Sequence, residues 1–426
     1  MVIVDTELQK RQDAGTPLRV GIVGAGVMGR MIAQQFLTPL TGMRLVAVAN
    51  RTAAKAVQAF SDCGVAGIVS VDSVSKVEQA IEQNAPVVTE DAHLLCEAGN
   101  LDVIIEVTGT VEFGAGVALQ AIKHRKHVVL LNAELDATLG PVLNRYAQRS
   151  GVVITNTDGD EPGVAMNLFR YLKTLGMRPV AAGNLKGMID PYRTPETQKS
   201  FAAQYGQNPV IVTSFADGTK LSLEETILAN AAGFSVGQRG MYGPKCDHVN
   251  EIGALLPAEQ MLDRGLVDYA LGAAPYTGAF VVVHEENPSK MKHLAYLKMG
   301  NGPFYVFYTP YHLPHVQIPS TVARAALFHD ATTVPISGPM TEVIAIAKKD
   351  LQAGDILDGV GGFAAYGVIE NSPVVQEEGL LPMGLSEGCT MVRAVSKDSP
   401  ITKADVQIPE GRICDSLYAE QCAYFG

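Results

Sequence analysis

The sequence predicts an α/β chain with three parts: an N-terminal doubly wound parallel sheet, a central α+β domain, and a small β-rich C-terminal domain. Three observations carry this. Arg19-Val20-Gly21-Ile22-Val23 runs into Gly24-Ala25-Gly26-Val27-Met28-Gly29, and Met28, Ile32 and Phe36 follow at helical spacing, which reads as strand, tight glycine turn and helix. Strand-like and helix-like segments then alternate to about residue 155, the pattern of a parallel sheet with right-handed crossovers. From Pro335 the pattern becomes β-rich.

The glycines specify what the first turn can hold. Gly24 permits the turn, Gly26 lets backbone approach a pyrophosphate, and Gly29 lets the helix lie close on the strand. The amides of Val27 and Met28 open the helix, where free N–H groups and the positive dipole end favour phosphate. In this context GxGxxG implies a Rossmann domain binding NAD or NADP. Composition narrows the partners further. The chain has 426 residues and a formal net charge of −11, which disfavours nucleic acid and anionic membranes. No apolar run approaches the length of a membrane span, and no secretory leader is evident. The six cysteines form no CxxC pair and read as reduced thiols, so a cytoplasmic protein with a small-molecule substrate is expected.

Taken in order, residues 1–17 read as an amphipathic leader helix, and Arg44 to Ala49 as the second strand. That strand ends in Asn50-Arg51-Thr52, with Lys55 one turn on, where an NAD-specific unit carries Asp or Glu. Arg51 suits a 2′-phosphate, so NADP is favoured over NAD. Val71 to Gln83 reads as a helix, Pro86 to Thr89 as a strand and Asp91 to Ala98 as a helix. The buried strand beginning at Leu101 ends in Thr108-Gly109, a loop expected beside the nicotinamide ribose. A helix at Glu112 to Lys123, a strand at Lys126 to Leu131 closed by Asn132, a helix through Gly140 to Gln148 and a strand at Val152 to Thr155 complete a Rossmann domain over 1–156.

A substrate-binding, catalytic domain is expected over 157–334. It opens with the acid-rich Asp158-Gly159-Asp160-Glu161-Pro162, then a helix from Met166 and a strand from Val180 ending at Lys186. Residues 188–207 read as loop, Ile211 to Phe215 as part of a hairpin, Leu223 to Ala232 as a helix, and 234–267 as irregular chain. Ala279 to His284 and Pro303 to Tyr308 are strands, and Ile318-Pro319 starts a helix carrying Arg324. Residues 335–426 form the β-rich domain and tail, with Val343 to Leu357 as a β segment.

The chain resembles the homoserine-dehydrogenase superfamily over its N-terminal two-thirds and a SAF domain at its C-terminus. The combination is similar to the 1-deoxy-D-xylulose 5-phosphate reductoisomerase-like proteins. Besides the glycine turn, the resemblance is carried by Asp102 to Gly109, Asn132-Ala133-Glu134, Gly159 to Pro162, Pro310-Tyr311-His312-Leu313 and Thr321-Val322-Ala323-Arg324. Homoserine dehydrogenases place a catalytic lysine directly after the asparagine, where this chain has Ala133. The lysine loop Gly183-Asn184-Leu185-Lys186-Gly187 is also less lysine-rich than in the reductoisomerase-like proteins. The resemblance implies carbohydrate metabolism, a divalent metal in the reductoisomerase case, and homo-oligomerisation through the second domain.

Hydride transfer needs a carbonyl polariser and a proton source. The candidates are Lys186, His312 and Glu134 for catalysis, and Asp160, Glu161, Tyr311 and Arg324 for substrate binding, each with a structural alternative such as an internal ion pair for Arg324 or helix capping for the acids. Asp158, Asp160 and Glu161 would suit Mg²⁺ or Mn²⁺. Two readings follow: an oxidoreductase of a small sugar- or polyol-derived carbonyl, phosphorylated or not, acting as simple dehydrogenase or reductoisomerase; or a nucleotide-binding sensor using the SAF-like domain for interactions.

Overall fold

The computed structural model describes residues 3–426, which divide into two compact units, each discontinuous in sequence. The first comprises residues up to Asp160 together with Leu313–Val334, and the second Glu161–His312 with Pro335–Gly426. Residues 313–334, expected within the central domain, thus belong to the first unit, and residues 335–426 cluster with residues 161–312.

The first unit is built on seven parallel strands: β1 (Leu18–Val23), β2 (Met43–Ala49), β3 (Val69–Ser70), β4 (Val87–Thr89), β5 (Val103–Glu106), β6 (His127–Leu130) and β7 (Ile154–Asn156). Their order is β3-β4-β2-β1-β5-β6-β7. The central strands are buried on both faces over residues 20–23, 47–49 and 103–105, which explains the apolar runs there. The helices are α1 (Asp5–Asp13), α2 (Val27–Leu37), α3 (Ala53–Ser61), α4 (Val74–Glu82), α5 (Ala92–Glu97), α6 (Val111–Lys123) and α7 (Ala133–Ser150). The leader helix is shorter than expected, and α1 buries only Leu8; residues 1 and 2 lie outside the described residues. On α2 the inward residues Ile32, Ala33 and Phe36 join Val20 and Ile22 in one core. Ile318, Val322 and Ala323 of the helix Pro314–Phe328 enter the same core. That helix starts at Pro314, a turn before the expected Ile318, because proline fits its first position without losing a hydrogen bond.

The second unit opens with α8 (Glu161–Thr174) and β8 (Arg178–Lys186). The expected loop over 188–207 contains α9 (Pro195–Gln204), started by Pro195 and a Thr194–Thr197 capping box. The expected hairpin at Ile211 to Phe215 is instead the helix α10 (Pro209–Ala216). Its β-branched run suggests a strand, but the Asn208 side chain accepts from the Val210 N–H and Pro209 occupies the first turn, so the cap overrides propensity. Next come α11 (Thr219–Ala232), then β9 (Leu266–Leu271), which starts at the end of the stretch expected to be irregular, β10 (Ala279–His284) and β11 (Phe304–Thr309). These make a mixed sheet of order β11-β10-β8-β9, with β8 and β9 parallel and β10 antiparallel to both of its neighbours. Alternate residues feed two cores: Ala182, Val267 and Val281 on the α8/α11 face, and Ala181, Leu266, Phe280 and Val282 on the other.

The expected β segment Val343 to Leu357 is a shorter strand, β12 (Thr341–Ala347), paired antiparallel with β13 (Ala365–Asn371). Ile369 of β13 lies in the α8/α11 core. Lys348 is buried and donates to Asp217 at 2.9 Å, to the Arg193 carbonyl at 2.7 Å and to the Gly362 carbonyl at 2.9 Å. The C-terminal segment therefore shares both a core and a buried ion pair with the central one.

Candidate active site

The glycine turn of the first unit is a phosphate cradle in shape. Gly24 has φ +109°, and a Cβ on Gly29 would lie 2.0 Å from the Gly24 carbonyl oxygen, so α2 packs on the turn only because Gly29 lacks one. A Cβ on Gly26 would meet nothing within 4 Å, so the space in front of the turn is open. No side chain caps the amides of α2, and Val27 and Met28 are half-buried at its start. The residues present fit a dinucleotide pyrophosphate.

Around the turn, some expected cofactor residues face solvent and others are spent on the protein. Arg51 and Lys55 are exposed beyond β2. Asn50 accepts from the Ala25 N–H at 2.9 Å and donates to the Thr52 carbonyl, bracing the glycine turn from the next strand. Thr108 donates its N–H to Glu106 at 2.9 Å, its hydroxyl bonds the same oxygen, and Gly109 follows exposed with φ +69°. Asn132 is buried: its amide N–H groups go to Glu106 and the Thr110 carbonyl, and its oxygen caps α7 by accepting from Leu135. As a cap and strand clamp, it has both side-chain N–H groups spent on the protein. Glu134 lies half-buried in the first turn of α7. Glu106, unanticipated from the sequence, ends β5 fully buried. Burial pushes its carboxyl up to about 7, against the Thr108 and Asn132 hydrogen bonds that favour the charged form.

Two further expectations fail in this unit. Arg324 is buried and locked, donating to Asp158 at 2.5 Å and to Asp330 at 2.9 and 2.7 Å. Asp158 also takes the Thr332 hydroxyl, and its N–H donates to Thr321 at 2.8 Å. Arg324 is an internal ion pair rather than a substrate clamp, and Asp158 is consumed by it rather than offered to a metal. Asp160, likewise buried, is the last residue of this segment.

In the second unit, Lys186 is the last residue of β8, and its ammonium sits 3.1 Å from Glu161 and 3.2 Å from Glu224. Glu161 opens α8, and Glu224 projects from the buried helix α11, where it also accepts from Asn184 at 3.0 Å. His312 Nε2 lies 3.5 Å from Glu161, and the Thr277 hydroxyl meets its Nδ1 at 3.0 Å. Tyr311 beside it is exposed. Burial alone would push Lys186 down, but the two carboxylates outweigh it and hold the ammonium above its ordinary value. Burial would raise Glu161, yet Lys186 and then His312 hold its carboxyl below its ordinary value. Glu225 is different: burial, then the charges of Asp268 and Glu224, hold its carboxyl well above the usual range. The cluster is thus a fixed ammonium between two carboxyl groups, with a partly exposed imidazole at its edge. Such an array can steady an alkoxide and exchange a proton at the imidazole.

Glu224 and Asn184 were not anticipated. The visible signal was Glu224-Glu225 inside the run Leu221 to Leu228, an acid pair on a helix whose other residues are mostly apolar.

Comparison with known proteins agrees with both halves. Residues 20–156 match the family described as "Homoserine dehydrogenase, NAD binding domain", and residues 159–318 match "Oxidoreductase DRL, catalytic domain". The chain joins an NAD-binding domain to an oxidoreductase catalytic domain. A homoserine dehydrogenase of Synechocystis sp. is 25% identical over 137 residues, which is 32% of this chain and 28% of that protein. Among solved structures, a homoserine dehydrogenase from Thiobacillus denitrificans aligns over 80% of this chain and 83% of its own, at 14% identity and TM-score 0.41. A scyllo-inositol dehydrogenase from Lactobacillus casei with bound NAD(H) and scyllo-inositol aligns over 63% and 73%, at 13% identity and TM-score 0.37. The NAD-binding match covers the sheet with the glycine turn, and the catalytic match covers Glu161, Lys186, Glu224 and His312. Among the described residues no helix is long and apolar enough to cross a membrane.

Proposed function

We propose that the chain is an NADP-preferring dehydrogenase or reductase of a small sugar- or polyol-derived carbonyl compound. The observation that carries this reading is the Lys186 ammonium held between Glu161 and Glu224 with His312 beside it. The nicotinamide supplies the hydride when bound. Lys186 stays protonated across the working range and stabilises the developing alkoxide, while Glu161 and Glu224 fix its position. His312, oriented by Thr277, gives or takes the hydroxyl proton. Arg51 and Lys55, exposed where no carboxylate ends β2, support a 2′-phosphate.

Simple hydride transfer is favoured over a metal-assisted skeletal rearrangement of the reductoisomerase kind. Glu161 and Glu224 already neutralise an ammonium, and Asp158 neutralises a guanidinium. No metal step is needed to account for these carboxylates.

Nicotinamide fluorescence on titration with NADPH and NADH tests the first half. Gly26→Ala adds a methyl into open space, so unfolding temperature should hold while NADPH affinity falls by roughly ten- to a hundredfold. Unchanged affinity would place the cofactor elsewhere. An NADPH-oxidation screen over small carbonyl sugars tests the second half; binding without turnover of any of them would favour the sensor reading.

A further inference from the structure

We propose that the C-terminal segment is a clamp on α11 that sets where Glu224 stands against Lys186, with Gly367 of β13 as its closest point. Its bearing on catalysis rests on the reading of Lys186 as the group that steadies the alkoxide. Nearly every residue of α11 is buried, and the helix has two faces with different partners. On one, Leu221 and Leu228 enter the core shared with Ala182, Val267 and Val281. On the same side Glu224 accepts from Asn184 at 3.0 Å and from Lys186 at 3.2 Å. Ser222 and Asn230 follow Thr219 by about one and three turns, so these three buried polar residues share the other face.

That face meets the C-terminal strands. The Gly367 N–H donates to the Thr219 hydroxyl at 2.8 Å, and the Ser222 hydroxyl donates to the Gly367 carbonyl at 3.2 Å. At the far end, the Met340 and Thr341 N–H groups donate to the Asn230 side-chain oxygen at 2.7 and 3.1 Å. Lys348 adds a third tie: Asp217, its partner at 2.9 Å, also accepts from the Thr219 N–H at 2.9 Å. The approach is as close as the chain permits, because a Cβ on Gly367 would lie 2.8 Å from the Thr219 Cγ2 methyl. Glu224 lies between the ties at Thr219 and Asn230. Packed helices shift as units, so a spacing imposed at those ends is passed on to the Glu224 carboxylate.

The test is competitive acetylation of the full chain by acetic anhydride at alkaline pH, with the Lys186 peptide followed by mass spectrometry and normalised to the exposed Lys199. Acetylation needs the neutral amine, and the two carboxylates oppose its formation at Lys186, so drawing Glu224 away speeds labelling. Gly367→Ala is expected to raise the Lys186 rate at least about threefold. Thr219→Ser removes the methyl and keeps the hydroxyl; added to Gly367→Ala, it should bring the rate at least halfway back. Arg412→Met breaks contacts with Asp415 and the Leu385 and Glu387 carbonyls elsewhere in the same segment. It should lower the unfolding temperature and leave the Lys186 rate unchanged. A wild-type rate in Gly367→Ala, no relief by Thr219→Ser, or an equal rise in Arg412→Met overturns the clamp. Should Gly367→Ala not fold, Asn230→Ala at the other tie decides in its place by the same rise or its absence. Labelling needs no turnover, so a chain that reduces no carbonyl compound overturns the proposed function and leaves the clamp standing.

Discussion

Arg324 and Lys186 carry the same inventory, one cation between two carboxylates, and differ in what surrounds it. The Arg324 side chain is 1% exposed, in the first unit, and its guanidinium is spread over Asp158 and Asp330. The Lys186 side chain, in the second unit, is 20% exposed, with a titratable imidazole against one of its acids. The first arrangement is a staple: removing either partner strands a buried charge. The second holds a charge in place while leaving a side open to water. Pairing alone does not separate structure from function; residual access does. Arg51 completes the series as an exposed cation with no ion pair among the described residues.

The largest expected effect breaks the staple. Arg324→Met should cost about 3–5 kcal/mol, because Asp158 and Asp330 lose their buried counter-charge. Denaturant unfolding measures this, and a loss below about 1 kcal/mol would mean the pair is exchangeable. Lys186→Met should instead lower kcat/KM by about 10²- to 10³-fold, with a stability loss as well because Glu161 and Glu224 are themselves buried. Activity retained with stability lost would make Lys186 a second staple.

Glu106 sharpens the contrast, being a buried acid without a cation. Its folded value of about 7 lies above that of the unfolded chain. The folded state therefore binds the extra proton, and stability falls as pH rises from about 4.5 through 7. The full effect is about 3 kcal/mol at most, read as a decline in unfolding temperature between pH 5 and 8. Glu106→Gln should flatten that decline, and a profile unchanged by the substitution would assign it to other groups. The smallest effect belongs to the exposed cation. Arg51→Ala should weaken NADPH binding about tenfold and leave NADH unchanged, about 1.4 kcal/mol. Equal loss for both nucleotides would dismiss the 2′-phosphate role.

The same contrast explains what was legible in the sequence. The first sheet was readable because local rules agree there: apolar strands, glycine turn and helical periodicity point one way. The second unit was harder. Its α10 is a β-branched run made helical by a cap, and β9 is a short strand behind glycine-rich chain. Lys186 and His312 were visible as residue types at strand and loop ends. Their partner Glu224 was not, because pairing between β8 and α11 is a tertiary fact with no sequence period. Arg324 was legible as a cation but not as a spent one. Its partners are Asp158 and Asp330, and only folding brings the three together.

The return of residues 313–334 to the first unit has a consequence for synthesis. Asp158 and Thr155 leave the ribosome long before Arg324, Thr332 and Thr333, the residues that neutralise or hydrogen-bond them. At ordinary elongation rates the nascent nucleotide-binding sheet waits roughly ten to thirty seconds for its last helix. Throughout that interval it holds an unmatched carboxylate and an uncovered apolar face where Ile318 and Val322 will pack. The N-terminal unit is first to be made but cannot be first to be finished, and the nascent chain is most exposed to chaperones and proteases while its second unit is being translated.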